Sequence, residues 1–426
     1  MTTTRAPFTE RRFVLPLILV TSLFFLWALG VNLNDILIPH LKKAFGLTDF
    51  QSSLIQTAFF GGYFVAALPA GWVMRRLGYR GGILTGLVTC ATGAFLFIPA
   101  SSVRAYPLFL LALFVLACGQ CFLEVGANPY VTTLGDRASA SWRLNTAQAF
   151  NAICAAITPF IGARFILSGI EHTSSELAAM SPAELESYRA FEAGLVRMPY
   201  LVIMGIFLFV AFLIWRAHLP EVRETEETPS AAHAGGLRDA AAHGHLMRGV
   251  IAQFLYVGAQ VGVASFVIRF VQHTMPGTPE KHAASFLGYH QAGFLLGRLL
   301  SVAALSTVPA PVMLALFAAG ALAAGGAAVA AHGALAVWMI VLLGFFHSLM
   351  FPTIFALSIE GLGRYTKLGS SLLVMSIVGG AIIPAVMGRL SDATSIQTAF
   401  VVPIVCYAYV LYFAMRGHRP SAASVA

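Results

Sequence analysis

The chain has 426 residues, 58% of them hydrophobic and only 10% charged, with 26 Lys and Arg against 18 Asp and Glu for a formal net charge of +8. Soluble domains carry about 25% charged residues, so the composition excludes a soluble enzyme. The basic residues stand at the ends of apolar segments instead of in clusters, which argues against a nucleic-acid partner and for a lipid bilayer as the surrounding medium.

Twelve apolar segments are predicted at 13–38, 51–74, 81–100, 107–134, 143–168, 199–217, 247–273, 283–304, 310–331, 334–359, 368–391 and 396–415. Each is near the ~20 residues that cross ~30 Å of hydrocarbon as a helix. The expected fold class is therefore an all-α membrane protein with twelve transmembrane helices. The first segment follows Arg11 and Arg12 but is polar in its second half and has no small-residue cleavage site. It reads as a retained helix and not as a signal peptide. Placing both termini in the cytoplasm puts Arg75, Arg76, Arg80, Arg216, Arg416 and Arg419 on the inner side, in keeping with the positive-inside rule.

The first segment holds Asp35 within Asn32-Leu33-Asn34-Asp35-Ile36-Leu37. Asn32 and Asp35 are three residues apart and share a helix face. The fourth holds a second lone carboxylate, Glu124, in Leu123-Glu124-Val125-Gly126-Ala127-Asn128-Pro129. A charged side chain at bilayer depth costs at least ~2.5–3.5 kcal/mol, so such residues face a bundle interior and mark a pathway. Two carboxylates among amides, each able to load and release a proton as water access alternates, point to proton-linked movement of a polar solute. The other reading is a buried pair with a base, for which Arg269 and Arg298 are the intramembrane candidates. All five cysteines fall within the predicted segments, and Cys118-x-x-Cys121 on an apolar helix reads as packing instead of a metal site.

The fifth segment carries Asn145, Gln148 and Asn151 at three-residue steps, and the seventh carries Gln253, Tyr256 and Gln260. Amides both donate and accept, which suits hydroxyl groups that do the same. Trp27, Phe59, Tyr63 and Tyr256 are aromatic candidates for the apolar face of a sugar ring. Each amide taken alone could equally be a helix–helix hydrogen bond. Between the fifth and sixth segments, 169–198 reads as an extracytoplasmic loop in which Ser181 caps a short helix opening at Pro182.

A composition shift at 219–245, rich in charge, Pro and small residues, is the expected cytoplasmic linker between halves at 1–218 and 246–426. The halves echo each other: Asn128-Pro129-Tyr130-Val131-Thr132 matches Phe351-Pro352-Thr353-Ile354-Phe355, and the prolines Pro159 and Pro384 sit in similar text. His347 stands five residues before Pro352, as Glu124 stands five before Pro129. It is a possible auxiliary residue, read either as a titrating partner or as a neutral, hydrogen-bonded histidine.

The pieces around Asn32–Asp35 and Glu124–Pro129, together with Arg143-Leu144-Asn145-Thr146-Ala147-Gln148-Ala149-Phe150-Asn151 and Ala252-Gln253-Phe254-Leu255-Tyr256, resemble the L-fucose–proton symporter family of the major facilitator superfamily, which includes bacterial glucose/galactose permeases. The resemblance implies two pseudo-symmetric six-helix bundles and a monosaccharide moved with a proton by alternating access, without a cofactor. It implies that Asp35 couples sugar to proton, that Glu124 takes up and releases the proton, and that Gln148 and Asn151 face the sugar. Ala264, Phe351 and His347 depart from the family pattern and leave L-fucose, galactose, glucose and N-acetylated sugars open. A monomer in a bacterial inner membrane is expected. The alternatives are a sodium-coupled or uncoupled carrier, a small-molecule exporter and a transport-dead sensor. No nucleophile–base set suggests an enzyme.

Overall fold

The computed structural model describes residues 9–135, 140–170, 172, 174–217, 241–304, 308–362 and 366–419. Among these the regular structure is helical, with no strands. In chain order the helices are α1 (Val14–Phe45), α2 (Asp49–Val103), α3 (Tyr106–Thr133), α4 (Ala140–Phe165), α5 (Ser174–Ala179), α6 (Pro182–Gly194) and α7 (Arg197–Arg216). They continue with α8 (Gly244–Thr274), α9 (Glu280–Ala304), α10 (Ala310–Ala330), α11 (Gly333–Ile359), α12 (Thr366–Met375), α13 (Gly379–Ala393), α14 (Ile396–Ala399) and α15 (Val401–Tyr412).

Eleven stretches among the described residues are long and apolar enough to cross a membrane. The eighth expected span is present as the 25-residue helix α9, which carries Lys281, His282, His290, Gln291 and Arg298 and so is more polar than the rest. Spans two and three make up α2 and are separated by a kink at the non-helical Gly78, whose φ of 69° only glycine adopts freely. α1 runs seven residues beyond its expected end at 38, through a buried Pro39. The 169–198 stretch contains two helices, α5 and α6. Ser181 caps α6 in a reciprocal box with Glu184, and Pro182 opens it. The expected linker lies outside the described residues up to 240, and α8 already begins at Gly244 within its last two positions.

The chain forms two compact units: unit 1 is 1–45, 58–168 and 172–226, and unit 2 is 46–57, 169–171 and 227–426. In unit 1, α1 packs on α3, α4 and α6, burying Ile36, Leu37, Ile38 and Leu41 completely. The second arm of α2 lies against α3 at glycine pairs: a Cβ on Gly93 would stand 2.4 Å from the Leu116 nitrogen, and one on Gly119 2.4 Å from the Cys90 nitrogen. Small residues let membrane helices approach at backbone contact, which is where their association energy arises.

In unit 2, α8 is the hub and packs on α9, α11, α13 and α15. Here too glycine sets the distance: a Cβ on Gly379 of α13 would lie 2.0 Å from the Phe254 carbonyl oxygen of α8. The first turns of α2 also belong to this unit. Thr48 and Gln51 cap them reciprocally, at 3.1 and 3.0 Å, and Asp392 of α13 accepts the amides of Asp49 and Phe50 at 2.7 and 2.8 Å. A carboxylate at a helix N-terminus is favoured by the unsatisfied N–H groups there.

Candidate functional site

In unit 1, α1 carries Asn32 and Asp35 on one face, 9% and 6% exposed. Asn32 Nδ2 donates to the Ala28 carbonyl at 2.7 Å, which holds the amide along its own helix. Glu124 of α3 lines a narrow pocket with Leu23, Phe24 and Trp27 of α1 and Leu123 and Ala127 of its own helix. The Trp27 indole N–H is committed to the Tyr63 hydroxyl of α2. The walls of the Glu124 pocket are therefore chiefly apolar.

α4 reaches the same place with amides. Asn151 Nδ2 donates to the Phe24 carbonyl at 3.2 Å, and Phe24 lines the Glu124 pocket. Gln148 Nε2 donates to Asn128 Oδ1 at 3.2 Å, and Asn128 Nδ2 donates to the Glu124 carbonyl at 3.0 Å. So Asn128 joins Gln148 of α4 to the Glu124 carbonyl of α3, while Asn151 of α4 is tied to Phe24 of α1 in the wall of the same pocket. The sequence reading had Asn128 only as part of a motif. Its signal was the four-residue step from Glu124, which stacks the two on one helix face. The side chain of Asn145 lies outside the described residues.

In unit 2, Gln253 and Tyr256 of α8 are fully buried and Gln260 is partly buried. Both amide atoms of Gln253 lack a hydrogen-bond partner among the described residues. Tyr256 donates its hydroxyl to the His347 carbonyl of α11 at 2.7 Å. His347 is itself fully buried, with Nε2 at 2.7 Å from the Tyr407 hydroxyl of α15 and its ring 5.6 Å from that of His290 of α9. The structure thus joins Tyr256, His347, Tyr407 and His290 in one cluster across four helices.

The two arginines considered as carboxylate partners behave differently. Arg269 pairs with Asp49, outside the set of candidates. Arg298 is partly buried with its guanidinium 5.4 Å from the Phe294 ring on its own helix. Asp49 was missed because it lies at the start of its span, where a charge is unremarkable.

Comparison with known proteins completes the description. Residues 20–375 match the Major Facilitator Superfamily. The chain is 42% identical over 412 residues to a glucose/galactose transporter of Brucella abortus, covering 96% of each. It is 41% identical over 409 residues to an L-fucose-proton symporter of Escherichia coli, covering 95% of this chain and 93% of the relative. The crystal structure of an Escherichia coli fucose:proton symporter is similar at a TM-score of 0.69 and 40% identity, covering 96% of this chain and 99% of that one. A D-xylose-proton symporter shares the fold at a TM-score of 0.70 and 11% identity.

Proposed function

The chain belongs to the Major Facilitator Superfamily, and we propose that it is a proton-coupled symporter that imports a monosaccharide of the L-fucose, galactose or glucose kind by alternating access. It is a transporter and not an enzyme. The observation that carries the reading is the Glu124 pocket, where a membrane carboxylate sits against an apolar wall with the amides Gln148 and Asn151 bonded to the same neighbourhood.

We assign proton coupling to Asp35 and Glu124. Sugar contacts are assigned to Asn32, Asp35, Gln148 and Asn151 of unit 1 and to Gln253, Tyr256 and Gln260 of unit 2. A sugar hydroxyl donates and accepts at once, and these amides can answer both needs. A sugar bound at Asp35 changes the polarity around that carboxylate and hence its hold on the proton, which is how one binding event drives the other. His347 is auxiliary: through Tyr407 and its own carbonyl it holds Tyr256 in place. The coupling ion is the proton and no other cofactor is used. The protein acts as a monomer in a bacterial inner membrane, with halves 1–218 and 246–426 joined on the cytoplasmic side by 219–245 and both termini cytoplasmic.

The test is sugar-induced alkalinisation outside proteoliposomes holding the purified protein, across L-fucose, D-galactose, D-glucose and N-acetylglucosamine, with and without sodium. An alkaline shift with at least one sugar and no sodium requirement is expected. A sodium requirement with no pH signal overturns proton coupling.

A further inference from the structure

Two carboxamides in unit 1 are buried without using any of their polar atoms on protein. Asn34 of α1 and Gln120 of α3 are both 0% exposed. Among the described residues, Oδ1 and Nδ2 of Asn34 and Oε1 and Nε2 of Gln120 have no hydrogen-bond partner. Burying an amide without a hydrogen-bond partner leaves its lost hydration unrepaid, so four such atoms on two neighbouring helices call for something to meet them. The chain also makes room for them. A Cβ on Gly30 would stand 1.7 Å from Gln120 Nε2 and 2.9 Å from its Cδ, so α1 gives up a side chain where that amide lies. Asn34 is one turn further along the same face as Gly30.

The seam's position gives it a use. α1 and α3 run antiparallel here, with Trp27 beside Glu124 and Gly30 beside Gln120. Gln120 is one turn from Glu124 on α3, and Asn34 directly precedes Asp35 on α1. From Trp27 to Asp35 is eight residues, about 12 Å along the axis at 1.5 Å per residue, too far for the carboxylates to bond directly. The two amides occupy that interval. The titratable groups nearby have other contacts: Tyr63 takes the Trp27 N–H, the Cys118 and Cys121 thiols lie 3.5 Å from the carbonyls of Gly62 and Tyr63, and His40 faces Glu192 at 3.6 Å with Lys43 beside it.

We propose that Asn34 and Gln120 are positioning residues that hold internal water between Glu124 and Asp35, and that this water carries the coupling proton. The inference rests on the proton-symport reading above. A buried water needs two to four polar partners, and two amides supply two acceptors and two donor groups. A neutral amide does not itself keep a proton, so it orients the water without trapping the charge. In the transfer, the O–H bond of protonated Glu124 breaks and the proton joins the adjacent water oxygen. That water releases a different proton, directly or through a second water, and a new O–H bond forms on Asp35. The water is regenerated and the negative charge passes from Asp35 to Glu124.

The test uses the full-length protein in proteoliposomes with whichever panel sugar drives alkalinisation in the wild type. Gln120→Leu removes the amide, Gly30→Ala displaces it, Asn34→Ala removes its neighbour and Gln120→Asn keeps an amide. Sugar counterflow, which needs no net proton movement, reads folding and sugar binding independently. Expected is a fall of about tenfold or more in alkalinisation rate for the first three variants, with counterflow near wild type, and substantial recovery in Gln120→Asn. If Gln120→Leu loses counterflow as well, the comparison is made with Asn34→Ala. Wild-type alkalinisation in counterflow-competent Gln120→Leu or Asn34→Ala overturns the inference. Absence of alkalinisation in the wild type itself overturns the symport reading and the inference with it.

Discussion

Arg269 of α8 donates from Nη1 to Oδ1 of Asp49, the first residue of α2, across 220 positions of sequence. Further contacts hold the pair. Arg269 Nη1 also donates to Ser52 Oγ at 2.9 Å, Nη2 reaches the Ser265 carbonyl at 3.3 Å, and the guanidinium lies 4.0 Å from the Phe266 ring centroid. Asp49 Oδ2 accepts from Ser391 Oγ of α13. With Asp392 on the α2 amides, two helices of unit 2, α8 and α13, fasten the first turn of α2.

Breaking a buried ion pair from one side strands the other charge and costs about 3–5 kcal/mol, whereas removing both partners costs far less. Arg269→Leu is therefore expected to lower stability in detergent by that order, and Asp49→Asn combined with Arg269→Leu to lower it less. A double-mutant cycle on unfolding measures this. Additive single losses contradict a coupled pair.

Glu124→Gln keeps the shape and the hydrogen-bonding reach of the side chain but fixes it neutral. It is expected to abolish concentrative uptake and sugar-induced alkalinisation while sugar counterflow persists. Radiolabelled sugar uptake under an imposed proton gradient, beside counterflow in the same vesicles, separates the two. Full gradient-driven accumulation by this variant removes Glu124 from the coupling role.

Two glycines of unit 2 predict opposite responses to the same substitution. A Cβ at Gly379 meets the Phe254 carbonyl at 2.0 Å and its carbonyl carbon at 2.8 Å, both backbone atoms that cannot rotate away. Gly379→Ala must push α13 off α8 and is expected to cost about 1–3 kcal/mol, the range for overpacking. A Cβ at Gly326 of α10 meets nothing within 4 Å. Gly326→Ala is expected to be neutral or to stabilise by up to about 1 kcal/mol through helix propensity. Thermal unfolding of the two variants in one detergent provides the comparison.

What could be read from the sequence follows the range of the forces involved. Segment length and apolarity are local, so the membrane helices and their approximate ends were legible, as was the Ser181 cap of α6. Asp35 and Glu124 stood out in the sequence because an intramembrane carboxylate is costly wherever it sits. The Asp49–Arg269 pair was not, because a charge near a span end has no unusual cost until the fold buries it. Asn34 and Gln120 were hidden for a related reason. An amide in an apolar run looks the same whether it bonds a neighbour or nothing, and only the folded packing reveals the difference. Tyr256 shows the converse, a residue picked out for its sugar-binding chemistry whose hydroxyl the fold uses on the His347 carbonyl.

His347 poses the last test, since a buried histidine five residues before a helix proline reads equally as a proton carrier or a strut. The contacts favour the strut. Its Nε2 meets the Tyr407 hydroxyl, its carbonyl takes the Tyr256 hydroxyl, and the ring is fully buried among Tyr256, Tyr407 and His290. Losing one hydrogen bond of this kind costs about 1 kcal/mol. Tyr407→Phe and His347→Ala are each expected to lower stability by at least that much. His347→Gln, whose amide can still meet the Tyr407 hydroxyl, is expected to lower it less and to leave the pH profile of uptake where the wild type has it. The profile and the unfolding temperature measured on all three variants decide the matter. A displaced pH profile in His347→Gln, with its stability intact, makes the histidine a participant in proton movement and ties unit 2 directly to the coupling step.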